Sequence, residues 1–256
     1  MTSQPIPALI LAGRRAAGTD PMVLGNAAHK AFLPLNDRPM LDYVLSALSS
    51  SPGVGPISIS APGDLGEGFA AHAPGATLLP AQTSPARSIQ SALGRFQDAP
   101  AVLVTTCDHP LLTPAIISEF LSRAETANAD AAIGCVTKDV FQASFPEAKR
   151  TFIRLKDLEF SGANLFLLKP RQATGLMAFW ATLEANRKSP LTMARMIGVG
   201  IGIRYLLGWL TLEQMTAGVL KRSGTRCAMV PLDHPRAAID VDKPADIALA
   251  ASLLSA

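Results

Sequence analysis

Short apolar runs alternate with stretches of helical spacing along the first half of the chain. Residues 8–12 (ALILA) form an apolar run that reads as a buried strand. After Pro39, the spacing of Met40, Val44, Leu45 and Leu48 predicts a helix whose start suits a proline. Residues 56–61 (PISISA) and 76–79 predict two more strands. Residues 84–96 predict a helix, with Ile89, Leu93 and Phe96 on one face and Pro85 in its first turn. Residues 101–105 are nearly all apolar, which predicts a central strand. Residues 113–127 predict a helix capped by Thr113 and opened by Pro114. Strands and helices alternating at this spacing predict a parallel sheet covered by helices.

The pattern changes after Asp130. Strands are expected at 131–136, 151–155, 160–168, 227–231 and 237–241, with helices over 171–186, 190–197 and 211–222 and a closing helix from about Pro244. Between 193 and 212 only Arg195 and Arg204 interrupt a long apolar region. Its glycines, Gly198, Gly200, Gly202 and Gly208, argue against one continuous helix. This region is expected to be core, a self-association face giving a homodimer, or a partly mobile cover over a binding site. It is too broken to span a membrane. With no repeat and no linker, the chain reads as one domain over 1–256.

Composition narrows the class. Of 256 residues, 48% are hydrophobic and 17% charged, which fits a globular fold and excludes disorder. The net charge of +3 suits an anionic small substrate, while the lack of any basic run excludes a nucleic-acid patch. Cys107, Cys135 and Cys227 are too widely spaced for a metal motif and read as reduced thiols. The N-terminal apolar run is short and its arginines follow it, so no signal peptide is expected and the cytoplasm is the expected compartment.

Five segments carry candidate chemistry. First, Leu11-Ala12-Gly13-Arg14-Arg15 places a glycine and two guanidiniums at a strand end, and Lys30 returns nearby. Backbone amides and cations converging there would grip a triphosphate, although two arginines can also simply cap a strand in solvent. Second, Asp108 ends the central strand in Cys107-Asp108-His109-Pro110, where a carboxylate can hold Mg²⁺ or cap a helix. Third, alternation in Asp240-Val241-Asp242 puts both carboxylates on one face of a strand, or else Asp242 caps the last helix. Fourth, Ser88 near a helix start could meet a base or phosphate, or belong to an ordinary capped helix. Fifth, Gly162 in Ser161-Gly162-Ala163-Asn164 would let a ligand approach the backbone, with Asn164 as donor and acceptor. The four histidines show no metal spacing.

Together these segments resemble the nucleotidyltransferase superfamily, most of all the molybdopterin-guanylyltransferase-like NTP transferases. The resemblance rests on Leu11-Ala12-Gly13-Arg14-Arg15, Lys30, the run Leu33-Pro34-Leu35-Asn36-Asp37-Arg38-Pro39-Met40-Leu41, Asp108, and Asp240-Val241-Asp242-Lys243-Pro244-Ala245-Asp246. Asn36-Asp37 stands where the family has a turn with glycine. The resemblance implies an α/β fold: a three-layer, Rossmann-like (glycosyltransferase-A-like), mostly parallel sheet with helices on both faces. It implies a nucleotide-binding half over 1–130 and an acceptor-binding half over 131–256. It also implies transfer of NMP from an NTP to a phosphorylated acceptor, with Mg²⁺ and release of pyrophosphate. Arg15 would hold the β- and γ-phosphates, Lys30 the α-phosphate, and Asp108 with Asp240 or Asp242 the metal. Leu11, Ala12, Gly13, Arg14, Ser88, Gly162 and Asn164 would line the substrates. Two other readings stand beside it: a nucleotide-sugar-dependent glycosyltransferase, against which Asp108 lacks the D-x-D of such enzymes, and a non-catalytic nucleotide-binding protein, which the altered first loop would favour.

Overall fold

The computed structural model describes residues 4–14, 27–148, 150–186 and 189–255. Eight strands build one sheet: β1 (Ile6–Leu11), β2 (Val54–Ala61), β3 (Thr77–Pro80), β4 (Val102–Thr106), β5 (Ala131–Thr137), β6 (Ile153–Arg154), β7 (Glu159–Leu168) and β8 (Cys227–Pro231). Their order is β8-β5-β7-β4-β1-β2-β3, with β6 beside β7. All neighbours are parallel except β7, which runs against β4, β5 and β6. The fold is therefore the mostly parallel, Rossmann-like sheet expected.

Alternation along the strands explains the three layers. Ala8 and Ile10 of β1 face one core with Leu103, Ile59 and Phe69, together with Val44 and Leu48 of α1 (Met40–Ser49). Phe69 comes from α2 (Gly66–His72). Leu9 and Leu11 face the other core with Val102, Val104 and Ile89, the last from α3 (Pro85–Leu93). Helix α4 (Pro114–Thr126) sends Ile117 and Phe120 to the first core, and its N-cap Thr113 Oγ1 accepts the Ile116 amide at 3.3 Å. The buried stretches of β1 (Ala8–Leu11) and β4 (Val102–Val104) are unbroken apolar runs because both their faces are covered.

The register levels the strand ends that matter. Leu11 lies opposite Ser60 of β2 and Thr106 of β4, so these strands finish together. Because β7 runs the other way, its start lies at the same edge, with Gly162 opposite Cys135 of β5. The β5–β7 register shifts between Ile133 and Cys135, and Asn164 there has a left-handed φ of +49°. This bulge re-aims the Asn164 side chain.

The second half departs from expectation in three places. Residues 237–241 are not a strand: a 3₁₀ turn covers Pro235–Ala238, and an extended segment without sheet pairing follows. β8 has already taken the edge position beside β5, so the chain turns back across the sheet end, where the Val241 amide donates to the Asp108 carbonyl at 2.9 Å. The strand expected over 151–155 shrinks to Ile153–Arg154. Three short helices escape the sequence pattern: α2, α5 (Lys138–Ser144) and α8 (Val199–Leu206). The others are α6 (Thr174–Asn186), α7 (Pro190–Ile197), α9 (Leu212–Ser223) and α10 (Pro244–Leu254). Region 193–212 breaks at Gly198, with φ +103°, and turns at Gly208, with φ +69°, so it is not one helix. Of its described side chains only Leu210 is buried. The strong turn before α1 needs no glycine: Asn36 and Asp37 have φ of +48° and +61°, the two left-handed positions of a tight hairpin turn.

Candidate active site

The site forms at the common end of β1, β4 and β5 and the start of β7, the edge where open α/β sheets bind ligands. The end of β1 is pinned on both sides. The Ala12 amide donates to the Ser60 carbonyl at 2.9 Å, and the Cys107 amide to the Leu11 carbonyl at 3.0 Å. Leu11 and Ala12 are buried. Gly13 is exposed, and a Cβ there would meet nothing within 4 Å. Arg14 pairs with exposed Asp64 at 3.0 Å. Arg15 lies outside the described residues.

Lys30 is placed by a histidine that the sequence reading passed over. Buried His29 accepts the Ala31 amide at Nδ1 (3.1 Å), so its ring proton sits on Nε2 and donates to the Gly13 carbonyl at 3.2 Å. The ring packs edge-on against Phe32 and Phe69. His29 thus ties the residue before Lys30 to the residue after β1.

The Lys30 ammonium bonds the Asp108 carboxylate and lies 3.5 Å from Asp242 Oδ1. Burial by itself would lower the Lys30 pKa, but the Asp108 carboxylate and, further off, Asp242 raise it above the ordinary lysine value. Asp108 is 7% exposed, and its Oδ1 is buried with no hydrogen-bond partner among the described residues. Capping of α10 falls to Asp246, whose Oδ2 accepts the amides of Asp242 (3.1 Å) and Lys243 (3.0 Å). The Asp242 carboxylate therefore is not the cap.

Asp240 goes elsewhere. Arg150 Nη1 donates to its Oδ1 at 2.5 Å, and Asn164 Nδ2 to its Oδ2 at 2.9 Å. Arg150 Nε also donates to Ser161 Oγ at 2.9 Å. Burial would raise the Asp240 pKa, yet Arg150 and Asn164 hold it below the usual carboxylate value. Among the described residues Asp240 thus pairs with Arg150 and Asp242 with Lys30, and their segment is not the strand that alternation predicts. Beneath them, His109 is fully buried. Burial pushes its pKa down to about 4 against the pull of Asp240 and Asp108. Neither ring nitrogen makes a hydrogen bond of good geometry among the described residues, although the backbone of Ala237 lies close enough to favour the charged ring slightly.

Gly162 is exposed, with open space where a Cβ would lie. Ser88 is buried, and its Oγ accepts the Gln82 amide at 2.9 Å, tying the loop before α3 to that helix. The structure thus gathers Lys30, Asp108 and Asp242 in one group and Asn164 and Asp240 in the next. Arg150 and His29 are additions; Arg150 stands close in sequence to Arg154 and Lys156, and nothing local marks His29. Among the described residues, no group of three or more His, Cys, Asp or Glu side chains converges for a metal.

The chain matches the MobA-like NTP transferase domain over residues 8–182, and it belongs to that family of nucleotidyltransferases. Solved structures agree. A hypothetical transferase from Thermus thermophilus is 28% identical with a TM-score of 0.77, covering 96% of this chain and all of its own. The 4-diphosphocytidyl-2C-methyl-D-erythritol synthase of Anaerococcus prevotii shares the fold at 10% identity and TM-score 0.62, over 99% of this chain and 97% of its own. A CMP:2-keto-3-deoxy-manno-octonic acid synthetase complexed with CTP does so at 13% and 0.59, over 99% of both. A comparison with curated protein sequences gives no match. No helix among the described residues is long and apolar enough to cross a membrane.

Proposed function

We propose that this nucleotidyltransferase moves NMP from an NTP to a phosphorylated small-molecule acceptor and releases pyrophosphate. The observation that carries the reading is the Asp108–Lys30–Asp242 group at the strand edge beside the open backbone of Gly13. An acceptor phosphate oxygen attacks the α-phosphorus, forming a new P–O bond. The bond to the β-phosphate oxygen breaks, and its electrons leave with pyrophosphate. Such transfer asks a protein for positioning and charge stabilisation more than for covalent chemistry.

Lys30 would stabilise charge at the α-phosphate, and Gly13 would present its backbone to the phosphates. Arg15, outside the described residues, would hold the β- and γ-phosphates by its guanidinium fork. Family members typically use a divalent metal. Asp108 Oδ1, buried and without a hydrogen-bond partner among the described residues, and a second carboxylate at Asp242 fit Mg²⁺, which takes one or two carboxylates and completes its shell with water and phosphate oxygens. When bound, the ion would neutralise phosphate charge. Asp240 accepts from both Arg150 and Asn164 near Gly162, and in this reading it orders these two donors, which would serve the acceptor phosphate.

Thermal shift and pyrophosphate release with CTP, GTP, UTP and ATP, with Mg²⁺ or with chelator, test this. CTP is the first to try, since the octonic acid synthetase of like fold is solved with it. One nucleotide should stabilise the protein in a Mg²⁺-dependent way. No shift and no release with any of the four would remove the reading.

A further inference from the structure

Beyond the phosphate site, α6, α7, α8 and α9 enclose a cavity of about 330 Å³ with an almost wholly apolar lining that includes Ile153, Phe179, Ile201, Tyr205 and Val219. That volume lies in the range of small-molecule sites. Three observations join it to the catalytic edge. Ile153 is three residues from Arg150, so their Cα atoms are no more than roughly 11 Å apart. β6 pairs with the start of β7, the end that carries Gly162 and Asn164. The α8–α9 connection is fixed to the same turn, with the Lys156 backbone amide donating to the Leu210 carbonyl at 2.8 Å and Asp157 Oδ1 accepting the Leu212 amide at 3.0 Å.

Two lining residues and two of their chain neighbours are exposed apolar side chains. Ile153 is 43% exposed, Tyr205 45%, Trp209 63% and Leu206 84%. The charged group in the lining is Arg222, whose guanidinium donates to the Met196 carbonyl at 2.6 Å and the Gly218 carbonyl at 3.0 Å, while exposed Arg154 pairs with Glu159 at 3.4 Å on the neighbouring strand. An apolar cavity one short strand from Arg150 and the proposed phosphate site is complementary to a molecule with an anionic head and an apolar chain. We propose that the acceptor is such an amphiphilic phosphate, its head at the Arg150–Asn164 side and its chain in this cavity. The proposal rests on the transferase reading for the head group only.

The test compares decyl phosphate with ethyl phosphate, both below micellar concentration, by calorimetry on the full chain and by pyrophosphate release with the stabilising NTP. Decyl phosphate should bind at least tenfold tighter. Ile153→Asp and Tyr205→Asp, both at half-exposed positions that folding should tolerate, should each erase that difference while leaving ethyl phosphate affinity and the melting curve unchanged. Equal affinity for the two phosphates, or a preference that survives both substitutions, would overturn the proposal. So would vesicle binding unaffected by Ile153→Asp and without chain-length preference, which assigns the rim to a membrane surface. Selective decyl phosphate binding without release from any NTP would sustain the cavity and remove the transferase reading. Release with ethyl phosphate as fast as with decyl phosphate would do the reverse.

Discussion

The backbone amide of Val241 donates to the backbone carbonyl of Asp108 at 2.9 Å. This bond joins the end of the central strand to a segment far along the chain. Asp240 and Asp242 flank the anchored Val241 and meet different cations, Arg150 and Lys30. A site that must hold several negative phosphates needs its own carboxylates kept apart and paired.

Asp108→Asn should keep the fold and cut turnover by about 100-fold or more, since a neutral amide holds a metal–phosphate complex far more weakly. Pyrophosphate release at saturating NTP, beside a circular-dichroism melt, checks it. Near wild-type turnover would take Asp108 out of the metal role.

Lys30→Met should cost about 3–5 kcal/mol of stability, because it leaves a buried carboxylate without its cation. Lys30→Met with Asp108→Asn should recover much of that loss. Urea unfolding of the four proteins gives the coupling; strict additivity would mean that the ion pair does not hold this edge together. Mg²⁺ should raise the melting temperature of Lys30→Met more than that of the wild type, as the ion takes the place of the lost charge.

Much of this was legible in the chain. The apolar runs at 8–12 and 101–105 gave the central strands because strands covered on both faces need no polar alternation. Asp108 and Lys30 stood out because each follows such a run or a glycine loop. What sequence could not give were the partners. Arg150 meets Asp240 across 90 positions and His29 meets Gly13 across 16, and no local period encodes either pairing. The 237–241 error has a specific cause. Ala-Ala-Ile-Asp-Val alternates like a strand, but a sheet edge already filled by β8 left it nothing to pair with. Short helices such as Gly66–His72 were missed since two glycines lower the propensity that packing of Phe69 overrides.

Arg150→Met should destabilise the protein by about 2–4 kcal/mol at neutral pH, with Asn164 left as the donor to a partly buried Asp240. The sign of the pH dependence follows from the depressed Asp240 pKa: its contribution is present above the unfolded carboxylate value near 4 and fades as pH falls through the folded value. The gap between wild type and variant should therefore close below about pH 4. Unfolding curves from pH 7 to 3 check this, and a gap constant across that range would show that Arg150 acts by packing alone.

His109 gives the protein a second, separate acid sensitivity. Its pKa falls to about 4 in the fold because full burial disfavours the imidazolium, against an unfolded value of about 6.5. Between these two values the unfolded chain binds a proton that the folded one refuses. Its contribution is thus whole above about pH 6.5 and is lost as pH falls toward 4, a change of about 3 kcal/mol. Lys30 contributes in the opposite sense, being lost only as pH rises beyond the ordinary lysine range, so it does not mask this window. Asp108, Asp240 and Arg150 all face the ring, the carboxylates favouring its charge and the guanidinium opposing it. His109→Leu keeps a similar volume and removes the titration, so its stability should vary less over pH 6.5 to 4 than that of the wild type. Melting temperatures of both proteins at half-unit steps, in buffer free of divalent ions, measure the difference. Parallel curves would mean that the ring finds a proton acceptor in the folded state and is not held neutral there.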